Sequence, residues 1–329
     1  MKKLINHVDS VLGETLDGLA VAHADILSLG PARQFVRRRA LKPGKVALIS
    51  GGGSGHEPLH AGFIGHGMLD AACPGQVFTS PTPNQMLAAA EAVDTGAGVL
   101  FIVKNYSGDM MNFQMAAEML ERENATVIVN DDVAVEDSTH TTGRRGVAGT
   151  VIVEKIVGAA AERGDKLAAL KSLGDAVNKA TATMAVGLSS CIVPAAGKPT
   201  FEIGADEMEI GVGIHGEPGR RRVKLGSADA IAKELTHAVL KDLALTAGQE
   251  VLLLVNGFGG TPLLELYVMV NAVHKVLGTA GVKVVRHLTG SYVTSLEMAG
   301  CSITVCAMNA EMLALWDAPV HTPALRWGM

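Results

Sequence analysis

Along the chain, short apolar runs alternate with stretches in which apolar residues recur at helical spacing, and glycine-rich or polar loops separate them. Val11, Leu12, Leu16, Leu19 and Val21 fall on one helical face, so an amphipathic helix is expected from Val8 to Ala22. Lys45-Val46-Ala47-Leu48-Ile49-Ser50 reads as a buried strand. Gly51-Gly52-Gly53-Ser54-Gly55-His56-Glu57 follows as a loop, and Pro58 suits the first turn of a helix. Gly62 to Ala72 supplies core residues such as Met68 and Leu69. A strand at Val77-Phe78-Thr79 is expected to end in Ser80-Pro81-Thr82-Pro83, whose hydroxyls either cap the helix from Asn84 to Val93 or meet a ligand. Gly98 to Val103 is the next strand, followed by Lys104-Asn105-Tyr106-Ser107-Gly108-Asp109 and a helix from Met111 to Arg122. Val127-Ile128-Val129 runs into Asn130-Asp131-Asp132, and helices over 147–161 and 167–179 complete a first unit.

After Met184 the pattern restarts. Strands are expected at Val186 to Val193 and Met208 to Ile214, and a helix near 228–243. Val251 to Thr261-Pro262 then repeats the layout of strand, glycines, proline and helix. A helix to Leu277, strands near 282–286 and 303–307 and a short helix near Leu313 follow. The expectation is an α/β fold of two domains, residues 1–184 and 185–329, with mainly parallel sheets. A ligand site is expected at strand carboxyl ends between them, where open α/β sheets form a crevice. The proline-rich tail from Trp316 suits an ordered arm packing back on the first domain.

Composition sets bounds on this picture. The 329 residues suit two domains, and the 48% hydrophobic content is ample for a core in each. A net charge of −5 and a pI of 6.1 argue against nucleic acid as the main partner. Arg37-Arg38-Arg39 and Arg220-Arg221-Arg222 are short basic clusters without interleaved aromatics, and they read as solvated surface. Mean hydropathy is high at +0.28, yet no apolar run reaches the ~18 residues of a membrane span. Cys73, Cys191, Cys301 and Cys306 lack metal-ligand spacing, and no apolar signal segment follows Met1-Lys2-Lys3. A reduced, cytoplasmic protein is expected.

Two familiar patterns fit the first glycine loop badly. His56-Glu57-Pro58-Leu59-His60 matches the zinc-protease H-E-x-x-H spacing, but Pro58 would break the helix that must carry both imidazoles, so no metal is expected. Pro58 also stands where the dinucleotide fingerprint needs glycine or alanine. Neither Gly44-Lys45 nor Gly197-Lys198 is followed by Ser or Thr, so no Walker-A loop is present. Asp109 can be read as a helix N-cap or as a functional carboxylate. His215, flanked by Gly213 and Gly216, can be structural or an exposed reactive imidazole.

The wider set of residues decides between these readings. Ser50-Gly51-Gly52-Gly53-Ser54-Gly55-His56-Glu57-Pro58, Val103-Lys104-Asn105-Tyr106-Ser107-Gly108-Asp109, Gly143-Arg144-Arg145-Gly146 and Gly213-Ile214-His215-Gly216-Glu217-Pro218-Gly219 together resemble the dihydroxyacetone kinase family, as does the tail from Trp316 to Leu325. The likeness is to its substrate-binding subunit of the phosphotransferase-system type, over nearly the whole chain. The resemblance implies that His215 attacks the ketone carbon of dihydroxyacetone and holds it as a hemiaminal. It implies that Asp109 is the general base, that His56 bonds the substrate oxygens, and that Gly53, Ser54, Gly55 and Lys104 line the pocket. It further implies no cofactor on this chain, with ADP and magnesium on a separate nucleotide-binding subunit. A phosphohistidine protein would recharge that subunit from phosphoenolpyruvate. A homodimer is implied as well. Arg144 and Arg145 are expected either at the partner's phosphates or in internal ion pairs. The link from Gly219 to the Val251 strand is shorter than in many family members. Two alternatives stand beside the kinase reading: a silent ketone-binding coactivator of a transcription regulator, or a kinase subunit for another keto sugar such as erythrulose.

Overall fold

The computed structural model describes residues 2–135 and 143–329. In chain order the elements of the first unit are α1 (Val11–Ala22), β1 (Leu27–Leu29), β2 (Val36–Arg38), β3 (Ala47–Ser54), β4 (Ala71–Val77), α2 (Pro83–Val93), β5 (Val99–Lys104), α3 (Ser107–Met119), β6 (Asn124–Val129), α4 (Gly149–Arg163) and α5 (Leu167–Lys179). Those of the second are β7 (Thr181–Gly187), β8 (Glu207–Ile210), β9 (Arg221–Lys224), α6 (Ala228–Asp242), β10 (Glu250–Gly257), α7 (Leu263–Thr279), β11 (Lys283–Gly290), β12 (Gly300–Ala307) and α8 (Ala310–Asp317). The hairpin β13 (Val320–His321) and β14 (Arg326–Trp327) ends the chain. No helix among the described residues is long and apolar enough to cross a membrane.

Two six-stranded sheets form, in the orders β1-β2-β4-β3-β5-β6 and β11-β10-β12-β7-β8-β9. Strands β4, β3, β5 and β6 pair in parallel. The second sheet departs from the expected parallel pairing: only β10–β11 is parallel, and β12, β7, β8 and β9 pair antiparallel. Strand direction depends on how the chain returns from a distant element, and the apolar pattern of a strand carries no trace of it.

Successive residues of each central strand face opposite layers, as the two-residue period of a strand requires. Leu48 and Ile102 look toward α4, together with Leu252 and Leu254 of the second sheet. Ile49 and Phe101 look the other way, toward α2 and α3. Leu253 and Val255 look toward α6 and α7. The result is five layers with α4 in the middle, buried from Gly149 to Ala161 and touching both sheets.

Several boundaries differ from the sequence reading, each for a physical reason. Strand β7 begins at Thr181, five residues before the expected Val186, and all of it pairs in the second sheet, so the second unit starts ahead of residue 185. Its threonines hide it: Thr181 Oγ1 donates to Val177 O at 2.7 Å and Thr183 Oγ1 to Asp131 Oδ2 at 2.5 Å, which lets polar side chains sit in an interior strand. Strand β4 occupies Ala71–Val77, where Pro74 and Gly75 argue against a strand. Neighbouring β2 pairs only with Ala71 and Ala72, so at Pro74 no β2 ladder bond is lost.

No helix starts at Pro58. Residues 57–60 form a turn that leads into a short 3₁₀ segment at Ala61–Phe63. Pro58 O takes one helical bond, from Gly62 N at 2.8 Å, but the carbonyls just before it bond to the second unit. Leu296 N donates to Gly55 O at 2.9 Å, Thr294 N to His56 O at 3.2 Å and Thr294 Oγ1 to Glu57 O at 2.9 Å. The tail crosses the first unit, with His321 N donating to His66 O at 3.0 Å and Ala324 N to Gly62 O at 2.9 Å. Lys155 Nζ, from α4, donates to Leu315 O at 2.8 Å and lies 5.5 Å over the Trp327 ring.

Within α4, Gly158 lets the helix lie against the backbone of Gly67 and Met68, where an added Cβ would stand 2.4 Å from Gly67 O and 2.5 Å from Met68 Cα. Helix propensity favours alanine here by ~1 kcal/mol, but forcing α4 off its seat costs ~1–3 kcal/mol or more. Gly158→Ala is therefore expected to lower the urea midpoint at unchanged slope; a raised midpoint contradicts this packing.

Candidate active site

The site forms where the tips of β3, β4 and β5 meet the loop after β8. The glycines of β3 make room there for neighbouring parts of the protein. A Cβ at Gly52 would lie 2.4 Å from Lys104 Nζ, and one at Gly53 would lie 2.6 Å from Thr79 N. Both positions exclude side chains so that the 78–80 loop and a buried ammonium can close on the strand.

His56 leaves the end of β3 fully enclosed. Its Nδ1 lies 2.8 Å from the Thr294 carbonyl, which can only accept, so the ring proton sits on Nδ1 and Nε2 carries the lone pair. Nε2 is buried with no hydrogen-bond partner among the described residues. Burial, then the charges of His215 and Lys104, hold this imidazole well below the usual histidine range. The ring stacks on Phe78, with centroids 4.9 Å apart.

His215 comes from the second unit and meets His56 edge-on at 4.8 Å between centroids. Phe78 at 5.1 Å and Tyr106 at 4.7 Å complete an aromatic box around it. One face stays open, since the side chain is 22% exposed. Its Nδ1 lies 2.9 Å from Glu217 Oε1, and its backbone N–H donates to Glu217 Oε2 at 3.0 Å. Burial would raise the Glu217 carboxyl, but the hydrogen bond and charge of His215, with Arg145, bring it down to about 2. An ionised carboxylate only accepts, so Nδ1 donates, and in the neutral ring Nε2 of His215 then presents its lone pair.

Asp109 lies in the first turn of α3 and is buried. The N-cap position belongs to Tyr106, so the capping alternative for Asp109 is set aside. Ser80 Oγ donates to Asp109 Oδ1 at 2.5 Å, and Lys104 Nζ, at the end of β5, lies 3.4 Å from Oδ2. Lys104 Nζ also donates to His60 Nε2 at 3.1 Å, and His60 Nδ1 faces Glu154 Oε1 of α4 at 2.7 Å. Phe78 and Ser80 are two residues apart, so one short loop touches both His215 and Asp109. Thr82 and Gln85 form a capping box at the start of α2, which gives that loop a fixed exit.

The sequence-derived residues separate into two groups. His56, Lys104, Asp109 and His215 converge, and Gly53 stands beneath the 78–79 turn. Ser54 Oγ instead donates to Gly75 O at 2.7 Å, and Gly55 N donates to Glu57 Oε2 at 2.9 Å, so these two support the local fold. Asp131 accepts from Val147 N at 2.8 Å and Gly149 N at 2.7 Å, which fixes the start of α4. Arg145 pairs with Asp132 at 2.8 Å and Arg144 with Asp242 at 2.9 Å, so both arginines hold internal ion pairs. Sequence reasoning passed over Glu217, Thr294, Phe78, Tyr106, His60 and Glu154. Glu217 offered a signal, a carboxylate two residues beyond a glycine-flanked histidine, and His60 stands in the H-E-x-x-H spacing, which as a pattern points only to zinc.

Comparison with known proteins shows which family the chain falls in. The Dak1 domain family matches residues 17–324. A Listeria innocua protein, the dihydroxyacetone-binding subunit DhaK of PTS-dependent dihydroxyacetone kinase 1, is 52% identical over 98% of this chain and 100% of its own. The solved dihydroxyacetone kinase of C. freundii in complex with AMP-PNP and Mg2+ superposes with a TM-score of 0.91 at 34% identity, over 98% of this chain and 60% of that one. The dihydroxyacetone kinase operon co-activator DhaQ superposes at 0.89 with 33% identity, over 97% of this chain and 98% of that one. With its match running almost from end to end, this chain belongs to the Dak1 domain family, that of the dihydroxyacetone kinases.

Proposed function

We propose that the chain is the dihydroxyacetone-binding subunit of a phosphotransferase-system-dependent dihydroxyacetone kinase, and that it captures the ketone covalently on His215. One observation carries the reading. An imidazole from the second unit, its Nδ1 held by Glu217, meets edge-on the ring of His56, whose Nε2 has no partner among the described residues, and touches a loop that also holds Asp109.

In this reading His215 Nε2 adds to the carbonyl carbon. The new C–N bond forms as the carbonyl π bond breaks, and the oxygen takes a proton from solvent at the open face. The imidazolium that results is balanced by the Glu217 carboxylate. A polyol such as glycerol has no electrophilic carbon and is not captured. His56 Nε2 accepts from a substrate hydroxyl, and Asp109 takes the proton of the hydroxyl that receives phosphate. The donor is ADP-bound phosphate with magnesium on a separate nucleotide-binding subunit, which offsets the charge of the transferred group. A phosphohistidine protein supplies it from phosphoenolpyruvate. The chain acts in the cytoplasm as a homodimer; its four cysteines are free and buried, which suits a reducing compartment.

The likeness to a co-activator gives a second reading, ligand sensing without turnover. Buried Asp109 favours the kinase, because capture alone needs no base. Mixing the protein with its nucleotide-bearing partner and dihydroxyacetone is expected to yield triose phosphate. Binding without turnover assigns the sensor role instead.

His215→Ala is expected to abolish the ketone adduct seen by native mass spectrometry, and an undiminished adduct refutes the role of His215. Glu217→Gln can turn its amide toward Nδ1 and so favour the wrong tautomer. Adduct formation is then expected to slow by about 100-fold or more at intact fold; an unchanged rate refutes tautomer control by Glu217.

His56 and His60 are both held neutral by burial, well below their unfolded value of ~6.5. Between that value and their depressed folded values, the unfolded chain binds more protons. Their contribution is therefore complete above about pH 6.5 and is lost as pH falls toward the folded values. The urea midpoint is expected to drop from pH 7.5 to 5.5, by up to ~1.4 kcal/mol of stability per histidine per pH unit. The drop is expected to shrink in His56→Phe, and an equal drop in the variant contradicts the buried-neutral assignment.

A further inference from the structure

Neither ketone capture nor phosphoryl transfer, as derived above, uses Glu154. Yet this carboxyl stands in the middle of the central helix with no exposure and faces His60. The hydrogen bonds around it run one way. Lys104 has only donors, so His60 Nε2 accepts from Nζ at 3.1 Å. A neutral imidazole then carries its proton on Nδ1, which donates to Glu154 Oε1 at 2.7 Å. Ser50 Oγ lies 3.0 Å from the same Nδ1, but its own proton goes to Ile102 O at 2.6 Å, so toward His60 it too accepts. At the other end, Lys104 Nζ faces Asp109 Oδ2 at 3.4 Å.

A buried chain that begins at a base is either a proton wire or a brace. A wire must end at solvent or at a group that hands the proton on. This one ends at Glu154 Oε2, buried without a partner among the described residues, and it passes through an ammonium with no room for another proton. Burial pushes the Glu154 carboxyl well above its usual range, so the cluster holds one ammonium and one carboxylate, Lys104 and Asp109.

We propose that Glu154 and His60 are positioning residues that act on the base through Lys104: Glu154 fixes the His60 tautomer, His60 holds the ammonium 3.4 Å from Asp109 Oδ2, and that oxygen keeps a lone pair for the substrate hydroxyl. Without the acceptor at Oε1, Nδ1–H keeps only the longer contact to Ser50 Oγ at 3.0 Å, and His60 can carry its proton on Nε2, where it opposes the ammonium donor to donor. Lys104 is then driven from its place, and Asp109 loses the geometry that proton abstraction needs. This rests on the reading of Asp109 as the base.

Glu154→Leu removes the acceptor, whereas Glu154→Gln keeps a carbonyl oxygen for Nδ1–H and removes the titratable proton. Each is assayed for ketone adduct by native mass spectrometry, and for kcat and KM with the nucleotide-bearing partner. The Leu variant is expected to form the adduct as the parent does while kcat falls about tenfold or more at a KM within about twofold. The Gln variant is expected to recover kcat to within about threefold of the parent. Parental kcat in the Leu variant overturns the proposal. So does loss of adduct and turnover in proportion, which makes Glu154 merely structural. A Gln variant impaired more than tenfold with its adduct intact also overturns it, even where the Leu variant fails to fold. A parent that forms no adduct and does not turn over refutes the underlying reading of the site, and the brace with it.

Discussion

The hydrogen bond from His215 Nδ1 to the Glu217 carboxylate is the interaction on which the proposed chemistry depends. A histidine can present either ring nitrogen, and only an unprotonated one is a nucleophile. An acceptor that stays ionised, as Glu217 does with its carboxyl near 2, removes the choice. The same carboxylate accepts the His215 backbone N–H, so the turn and the ring are fixed by one side chain. Phe78, Tyr106 and His56 exclude water from the flanks of the imidazole and leave one approach open.

That arrangement requires two units to meet with ångström accuracy, and the fold supplies the means. Helix α4 is buried between the sheets, with one continuous apolar cluster running through it. Beside the site, the backbone of Thr294 and Leu296 is bonded to that of His56 and Gly55. The Thr294 carbonyl also orients His56, so one loop both ties the units together and sets the tautomer of a site residue. The proposed covalent capture gives selectivity that contact alone supplies poorly. A pocket that only bonds hydroxyls treats a triol and a hydroxyketone much alike, whereas a nucleophile distinguishes them by whether an electrophilic carbon exists.

Much of this was legible in the sequence wherever local pattern determines structure. The apolar run into glycines at 45–56 marks a strand and a loop, and Lys104 to Asp109 marks the next strand tip. The family resemblance then pairs these with His215. What stayed hidden was non-local. Strand β7 looks too polar until Thr183 is seen bonded to Asp131, and β4 looks too broken until β2 is seen to end before Pro74. The turn at Pro58 reads as a helix start because a sequence cannot show carbonyls claimed by residues some 240 positions away. Thr294 orients His56 through its backbone carbonyl, which carries no residue-type signal at all. Glu154 reads as one more helix residue until α4 is found between two sheets. Antiparallel pairing in the second sheet likewise depends on the path of return and not on composition.

The most direct test is a crystal grown with dihydroxyacetone and solved at a resolution that separates bonded from contacting atoms. Electron density should run continuously from the ketone carbon to His215 Nε2, with the hydroxyl to be phosphorylated within hydrogen-bond reach of Asp109. A ligand standing free of His215, or joined to His56 instead, would contradict the account.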